Sequence, residues 1–264
     1  VVGADAVTVM NGDGPVARPV TRVEWDPEVA EKGGFAHYML KEIIEQPDAM
    51  RQSLSGRSDP ATGTVHFESE LGALEQVRTV VLVGCGTSHY AASYAASVYE
   101  ANGIAAEAVI ASEFRERPRW DPSDTLMIAV TQSGETADTL AALREAKTLG
   151  YRATLAICNV PESSLVRESD RVMMTRAGPE IGVASTKAFT TQLTALLLTV
   201  IAAGRAHQLG RDEEARLVRA LRQIPRQIET VLGLEPRIET LAEAFIDKHH
   251  TLFLGRGTQY PVAM

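Results

Sequence analysis

Two apolar runs in this chain each end in a short turn of glycine and hydroxyl residues, and this pattern strongly constrains the fold. Residues 80–83 are followed by Gly84-Cys85-Gly86-Thr87-Ser88, and residues 126–130 by Thr131-Gln132-Ser133-Gly134-Glu135-Thr136. Such a pattern is typical of a buried strand that ends in a tight turn and opens a helix. Because the first turn of a helix has unpaired N–H groups and a positive dipole end, each turn predicts an anion-binding loop. We expect the two loops to lie at adjacent strand ends of one sheet, where open α/β folds bind ligands.

Strands and helices alternate regularly between residues 74 and 208. The strands are predicted near residues 79–83, 106–110, 125–130, 153–158 and 171–174, and a long helix is predicted from Thr186 to Ala203. This alternation predicts an α/β fold with a three-layer, doubly wound, parallel five-stranded sheet and flanking helices. The hydrophobic content of 45%, with few aromatic residues, fits buried parallel strands.

Further elements are predicted on both sides of this domain. Residues 1–24 read as a hairpin that turns at Asn11-Gly12-Asp13-Gly14, and we interpret it as the remnant of a preceding domain. Residues 25–73 are a linker and helical lead-in, with a helix over 35–54 that Pro47 is expected to kink or divide. Residues 209–250 predict two connecting amphipathic helices, over 211–232 and 235–247.

The last segment repeats an earlier pattern. Thr251-Leu252-Phe253-Leu254-Gly255-Arg256-Gly257-Thr258 has the same layout as residues 79–87, an apolar run followed by Gly-x-Gly-Thr. A repeat of this kind predicts that residues 251–264 are the first strand of a truncated second domain.

Composition excludes several classes of function. A net charge of −8 argues against a nucleic-acid partner and gives no reason to expect a membrane surface. The two cysteines, Cys85 and Cys158, are expected to be buried, reduced thiols, which predicts a cytoplasmic protein. His249 and His250 are adjacent, and no zinc-ligand spacing is present, so no metal site is predicted.

Rival motifs for the two loops do not fit. Gly84-Cys85-Gly86 begins like a dinucleotide fingerprint, but the third glycine position holds His89, and no Gly-Lys-Ser/Thr follows. Ser133 lacks the Gly-x-Ser-x-Gly setting of a hydrolase nucleophile, and no cofactor is predicted. The loops therefore predict an anion site lined by hydroxyl groups and one amide, although the same residues could be ordinary N-caps. Two such loops favour the ligand site. Its members are Thr87, Ser88, Thr131, Gln132, Ser133 and Thr136.

A third segment, residues 181–187, opens the long helix with another glycine and two hydroxyl residues. Ser185 is either the N-cap of that helix or a ligand contact, and the sequence favours neither. Lys187 in the first turn opposes the helix dipole, which predicts an anionic partner: a ligand, Glu135 or Glu180.

The two loops resemble those of the sugar isomerase (SIS) domain. Four longer stretches resemble the family of isomerising glutamine–fructose-6-phosphate aminotransferases, and the similarity runs from about Gly33 to the last residue. These stretches are His37-Tyr38-Met39 with Lys41-Glu42-Ile43 and Glu45-Gln46-Pro47; Ala111-Ser112-Glu113-Phe114-Arg115; Ile157-Cys158-Asn159-Val160-Pro161 with Arg167-Glu168-Ser169-Asp170; and residues 180–189, Glu-Ile-Gly-Val-Ala-Ser-Thr-Lys-Ala-Phe.

The resemblance implies a flavodoxin-like SIS domain, the first of two, in a cytoplasmic transferase of amino-sugar biosynthesis. That enzyme makes glucosamine 6-phosphate from fructose 6-phosphate with ammonia that an absent glutaminase domain releases from glutamine, and it is a homodimer. By motif, the resemblance implies phosphate binding by Ser88, Thr131, Gln132, Ser133 and Thr136, and sugar binding by Thr87, the Val183 backbone and Ser185. The supporting loop residues are Cys85, Gly86 and Gly134. Thr131 departs from the family, which usually has serine there.

No catalytic residue is predicted within this chain, because hydroxyl and amide groups have no pKa near neutrality and cannot move a proton between carbon atoms. We therefore expect the chain to bind a hexose phosphate without turnover. Two alternatives are open: a non-catalytic SIS module that senses sugar phosphates, and a related SIS isomerase or deglycase. Sensors of that kind usually carry a helix-turn-helix segment and a basic face, and neither is evident in the sequence.

Overall fold

A computed structural model describes residues 6–17, 31–67, 77–117, 121–207 and 209–264. Parts of the predicted linker, residues 25–30 and 68–73, lie outside the described residues, as does the predicted start of the main domain at residue 74. In chain order the strands are β1 (Val9–Asn11), β2 (Gly14–Val16), β3 (Ser58–Asp59), β4 (Thr64–Val65), β5 (Thr79–Gly84), β6 (Ala105–Ile110), β7 (Thr125–Val130), β8 (Ala153–Cys158) and β9 (Arg171–Met174). The α-helices are α1 (Tyr38–Leu54), α2 (Thr87–Ala101), α3 (Ala137–Thr148), α4 (Ser164–Glu168), α5 (Lys187–Gly204), α6 (Arg211–Leu232), α7 (Glu235–Ala242) and α8 (Tyr260–Ala263).

The central sheet has five parallel strands in the order β6-β5-β7-β8-β9. Counted from its first strand this is 2-1-3-4-5, the order of flavodoxin-like folds. Every residue of β5, β7 and β8 is buried, because helices cover both faces of a parallel sheet. The predicted fold class is confirmed, and each predicted strand lies within one residue of the observed bounds.

Alternate residues of each strand point to opposite faces and build two apolar cores. Leu82 and Ile128 lie in a core with residues of α2, α5 and α6. Val83 and Ala129 lie in the other, with Leu143 of α3 among its members. The result is a three-layer sandwich in which the carboxyl ends of the strands meet at one edge.

Helix α5 runs through the larger core. Of the helices in the described part of the chain, α5 is the one long and apolar enough to cross a membrane, and 72% of it is buried inside the protein. An apolar helix that is enclosed on most sides is a core helix. The long helix predicted at Thr186 to Ala203 is confirmed.

Helix α1 is continuous through Pro47, so of the two outcomes predicted there, a kink or a division, the division is wrong. Proline has no N–H to donate to the carbonyl of Ile43, four residues earlier. The Gln46 side chain takes its place, since Gln46 Nε2 donates to the Ile43 carbonyl at 3.0 Å. This bond compensates for the missing backbone donor and lets the helix run on to Leu54.

The flanking segments differ from the prediction in three places. The predicted N-terminal hairpin is present as β1 and β2, which pair antiparallel with Asn11 opposite Gly14. A second hairpin, β3 with β4, was not predicted. The α-helix predicted over 235–247 ends at Ala242 and continues as a 3₁₀ turn. The strand predicted from Thr251 is not observed, because residues 251–256 are neither helix nor strand and no described strand pairs with them, and its assignment to a second domain stays a prediction.

Candidate functional site

A cleft opens at the carboxyl edge of the sheet, between β5 and β7. The chain leaves β5 toward β6 on one side and returns to β7 on the other, so the edge between β5 and β7 is a topological switch point, where open α/β sheets bind ligands. The cleft has a volume of about 250 Å³. Its lining consists of Cys85, Thr87, Ser88, Thr131, Gln132, Ser133, Thr136, Glu180, Gly182, Val183 and Ser185.

Three loops therefore meet in the cleft: 84–88 after β5, 131–136 after β7, and 180–186 before α5. The two sequence loops lie at adjacent strand ends, as predicted, because β5 pairs directly with β7. All the predicted site residues line the cleft except Gly86 and Gly134, which lie within the loops. Glu180 and Gly182 line it as well, and the sequence did not single out either as a site residue.

Among the described residues, no side chain caps the start of helix α2, which follows the first loop. The N-cap is Gly86, whose φ of +54° favours glycine. Because glycine has no side chain, the first N–H groups of α2 receive no side-chain acceptor, and Thr87 and Ser88 in that turn line the cleft. Cys85 was expected to be buried but is partly exposed, since it lies in the turn after the buried strand.

The second loop is held by its own hydroxyl groups. Thr131 Oγ1 lies 3.2 Å from Thr136 Oγ1 and accepts the Gly134 N–H at 3.4 Å. Ser133 Oγ accepts the Glu135 N–H at 3.2 Å. Thr136 is the N-cap of α3, yet its side chain makes no capping hydrogen bond. The N-cap of α2 is thus not a hydroxyl residue, and Thr136 occupies the N-cap position of α3 without a capping hydrogen bond from its side chain.

The third loop is capped from within by Glu180. The N-cap of α5 is Thr186, and Glu180 Oε1 accepts the N–H groups of Thr186 at 2.9 Å and Ala188 at 3.0 Å. Ser185 is exposed and is not the cap of this helix. The cap role that the sequence left open for Ser185 is thus filled by Glu180, and the serine hydroxyl lines the cleft.

Lys187 has the anionic partner that the sequence predicts, but the partner is Glu45 rather than Glu135 or Glu180. The Lys187 ammonium is almost fully buried, and Nζ lies 2.6 Å from Glu45 Oε2 of α1. Glu135 instead accepts the Ser164 N–H at 2.7 Å, while Glu180 caps α5. Lys187 does not line the cleft. Glu45 could not be identified as the partner from the sequence, because this pair joins residues 142 positions apart.

The described residues that line the cleft include no lysine, arginine or histidine, so backbone dipoles and hydroxyl groups are what the cleft offers to an anion. The one carboxylate is Glu180, which already accepts two backbone N–H groups. Burial lowers the pKa of His89, in the first turn of α2, which favours its neutral form. Burial also raises the pKa of the Cys158 thiol beneath the second loop. Backbone N–H groups and hydroxyls at helix N-termini are suited to a phosphate group.

Comparison with known proteins gives consistent matches. A profile of the SIS domain matches residues 73–202. The isomerising glutamine–fructose-6-phosphate aminotransferase of Vibrio cholerae serotype O1 is 52% identical over 254 residues, which are 95% of this chain and 42% of that protein. The protein of the same name from Pseudomonas syringae pathovar tomato is 51% identical over 265 residues, 98% of this chain and 43% of that protein.

Among solved structures, the C-terminal domain of glucosamine-fructose-6-phosphate aminotransferase from Francisella tularensis is similar to this chain. The TM-score is 0.83 at 41% sequence identity, and the match covers 88% of this chain and 66% of that chain. The chain spans about two fifths of the length of the curated relatives that it matches.

Proposed function

Since this chain belongs to the family of isomerising glutamine–fructose-6-phosphate aminotransferases, as a part that carries a SIS domain, we propose that its cleft binds a hexose 6-phosphate. The observation that carries the proposal is the convergence of hydroxyl and amide groups from two adjacent strand ends. The N-cap residues of α2 and α3, Gly86 and Thr136, make no side-chain capping hydrogen bond. A cleft built this way offers donors to an anion without a lysine or arginine side chain.

The proposed division of roles follows the three loops. The phosphate is held by the hydroxyls and amide of the first two loops, and the sugar lies toward Thr87 and the third loop. The phosphate ligands are Ser88, Thr131, Gln132, Ser133 and Thr136, and the sugar contacts are Thr87, the Val183 backbone and Ser185. Cys85, Gly86 and Gly134 support the turns. The side chain of Val183 is fully exposed, which suits a role for its backbone.

We propose further that this chain binds the sugar phosphate without turning it over. Isomerisation moves a proton between neighbouring carbon atoms and needs an acid–base group with a pKa near neutrality. The described lining of the cleft has no histidine or lysine, and Glu180 is held by the helix cap. The chemistry then requires residues from elsewhere in the whole enzyme.

For that whole enzyme we propose the reaction that its relatives are named for. It would take fructose 6-phosphate and glutamine to glucosamine 6-phosphate in the cytoplasm, as a homodimer, with ammonia from a glutaminase domain. Identity of about 50% across the shared part supports this assignment. Under this proposal the chain contributes substrate recognition, and the other parts contribute ammonia and acid–base groups.

Calorimetric titration of the chain with fructose 6-phosphate and with glucosamine 6-phosphate tests the binding proposal. We expect saturable binding of at least one of them, weakened about tenfold or more by Ser88→Ala and by Ser133→Ala. Ser97→Ala is the control, because Ser97 lies on α2 and does not line the cleft. A well-folded chain that binds neither sugar phosphate would refute the proposal.

Turnover is measured separately by incubating the chain with fructose 6-phosphate and quantifying glucose 6-phosphate. We expect none. Catalysed isomerisation by this chain would refute the non-turnover proposal and favour a related SIS isomerase. Tight, specific binding without turnover would also be the behaviour of a sensor module. Adding the remaining domains of the enzyme separates these two alternatives, because only a part of the enzyme would then support formation of glucosamine 6-phosphate.

A further inference from the structure

A buried carboxylate of helix α1 lies directly beneath the third loop. Glu42 is 2% exposed, and its Oε1 accepts the N–H groups of Ile181 at 2.6 Å and Gly182 at 3.0 Å. These residues are about 140 positions apart in the chain. Glu42 does not line the cleft, yet it binds two successive backbone groups of a loop that does.

The packing at Gly182 shows how closely the loop lies on α1. A Cβ atom on residue 182 would come 2.5 Å from Glu42 Oε2 and 3.5 Å from the Met39 Cα. Among the described residues, Glu42 Oε2 has no hydrogen-bond partner. Only glycine lets the third loop approach α1 this closely. The Glu42 carboxylate and Gly182 together therefore set the distance between the loop and the helix.

Burying a carboxylate is costly unless charge-assisted hydrogen bonds compensate for the lost hydration. Here the compensation comes from the two N–H groups of the loop, since one oxygen accepts both. Two donors on one acceptor also fix the orientation of the peptide group between Ile181 and Gly182. The next residue along the chain is Val183.

The far end of the same loop is fixed independently. Glu180 binds the N–H groups of Thr186 and Ala188 at the start of α5. Residues 183–185 thus lie between two anchored points, and they are exposed. They include the backbone of Val183 and the hydroxyl of Ser185, which meet the sugar in the proposed function.

We propose that Glu42 is a positioning residue for the sugar end of the ligand. By accepting the N–H groups of Ile181 and Gly182, Glu42 holds residues 183–185 in the position from which they contact the sugar. The positions of the two phosphate-binding loops do not depend on Glu42. This inference rests on the proposed function for its ligand. Its structural part, that Glu42 holds the loop, stands on the two hydrogen bonds alone.

Three variants separate this role from a general contribution to stability. Glu42→Ala removes both acceptor oxygens and keeps a good helix former in α1. Glu42→Gln keeps one carbonyl oxygen that can accept both N–H groups. Glu214→Ala is the matched control, because Glu214 is also a buried carboxylate that accepts a backbone N–H, from Val65 at 2.9 Å, and it lies away from the cleft.

The first measurement is amide hydrogen exchange of the unliganded chain. We expect exchange at Ile181 and Gly182 to rise at least about tenfold in Glu42→Ala, to stay closer to wild type in Glu42→Gln, and to be unchanged in Glu214→Ala. Unchanged exchange at both residues in Glu42→Ala would overturn the inference, whether or not the chain binds any ligand.

The second measurement compares glucosamine 6-phosphate with inorganic phosphate by titration. We expect Glu42→Ala to lower the affinity for glucosamine 6-phosphate about tenfold and to change the affinity for inorganic phosphate by less than about twofold. Glu42→Gln should recover part of the lost affinity for the sugar phosphate. An equal loss for both ligands would show a general structural role and overturn the inference. If the wild-type chain binds neither ligand, the proposed function fails, and the exchange result still decides whether Glu42 holds the loop.

Discussion

Gly134 lies so close to Ser163 that a Cβ atom on residue 134 would come 2.0 Å from Ser163 Oγ and 2.9 Å from Cys158 Sγ. Its φ of +71° is also a conformation that side chains rarely adopt. The Gly134 carbonyl accepts the Leu165 N–H at 3.0 Å, which ties the second loop to α4. Glycine is therefore required here for space and for backbone conformation, in the loop that carries most of the proposed phosphate ligands.

Gly134→Ala should destabilise the chain by about 2–4 kcal/mol, the sum of a left-handed backbone and an overpacked contact. It should also weaken phosphate binding, because the loop must move away from Ser163. Gly150→Ala is the control: Gly150 has a φ of +77° and open space around its Cβ position, so only the backbone cost of about 1–2 kcal/mol applies. Urea unfolding measures both variants. Equal losses of unfolding free energy in Gly134→Ala and Gly150→Ala would show that the contact with Ser163 makes no contribution to the destabilisation.

Thr131 begins the second loop, and its hydroxyl is the part we expect to bind. Thr131→Val keeps the shape, removes the hydroxyl, and should weaken sugar-phosphate binding about tenfold or more, since a hydrogen bond to a charged group is lost. Thr131→Ser should stay within about threefold of wild type, because the hydroxyl is kept. Titration calorimetry is the measurement.

Thr139→Val is the matched control for that substitution. Thr139 is also buried, on α3, and its Oγ1 has no hydrogen-bond partner among the described residues. Its removal should leave binding unchanged and should not lower stability, because an unpartnered buried hydroxyl is unfavourable. If both valine variants bind as tightly as wild type, the Thr131 hydroxyl is not a ligand.

The sheet and the meeting of two loops could be predicted from the sequence because their signals are local. An uninterrupted apolar run such as 126–130 indicates a strand buried on both faces, and the glycine turn after it marks the strand's carboxyl end. Parallel topology then brings such ends to one edge without any knowledge of side-chain contacts. The same reasoning could not identify what caps α5, because Glu180 precedes the helix by several residues.

Contacts between segments that are far apart in the chain have no local sequence pattern, so they could not be predicted. Glu42 and Glu45 look like ordinary charged residues of an amphipathic helix, but one lies beneath the third loop and the other pairs with Lys187. Local rules also predicted two features that the described residues do not show. Pro47 does not divide its helix, since Gln46 supplies the missing donor. The apolar run at Thr251 does not form a strand, since a strand requires a neighbour with which to pair.

Lys187→Met tests whether this lysine serves the fold or the ligand. Because Lys187 Nζ pairs with Glu45 and does not line the cleft, we expect sugar-phosphate affinity to change by less than about twofold. Stability should fall, because Glu45 loses its closer cationic partner and keeps only the longer contact with Lys41. In a double-mutant cycle with Glu45→Gln, the coupling should be present in urea unfolding and absent from the binding titration. A large loss of affinity for inorganic phosphate would instead make Lys187 a ligand of the anion.

The ionisation of Glu214 should make the free energy of unfolding depend on pH in the acid range. Burial raises the pKa of Glu214, but hydrogen bonds from Arg205 and from the Val65 N–H outweigh burial and hold the pKa below that of a free glutamate. Because the folded state keeps this carboxylate ionised more readily than the unfolded state, its contribution is complete above the pKa of the unfolded chain. It is lost as the pH falls below about 4, through the lower folded pKa.

Glu214→Gln should therefore lower the free energy of unfolding at pH 7 by about 1–3 kcal/mol and flatten its fall between about pH 4 and pH 2. Glu213→Gln is the neighbouring control, since Glu213 is exposed and pairs with Arg216 at the surface, where ion pairs contribute little. Urea unfolding at a series of pH values measures all three proteins. Identical acid slopes in wild type and Glu214→Gln would show that the acid sensitivity arises from other carboxylates.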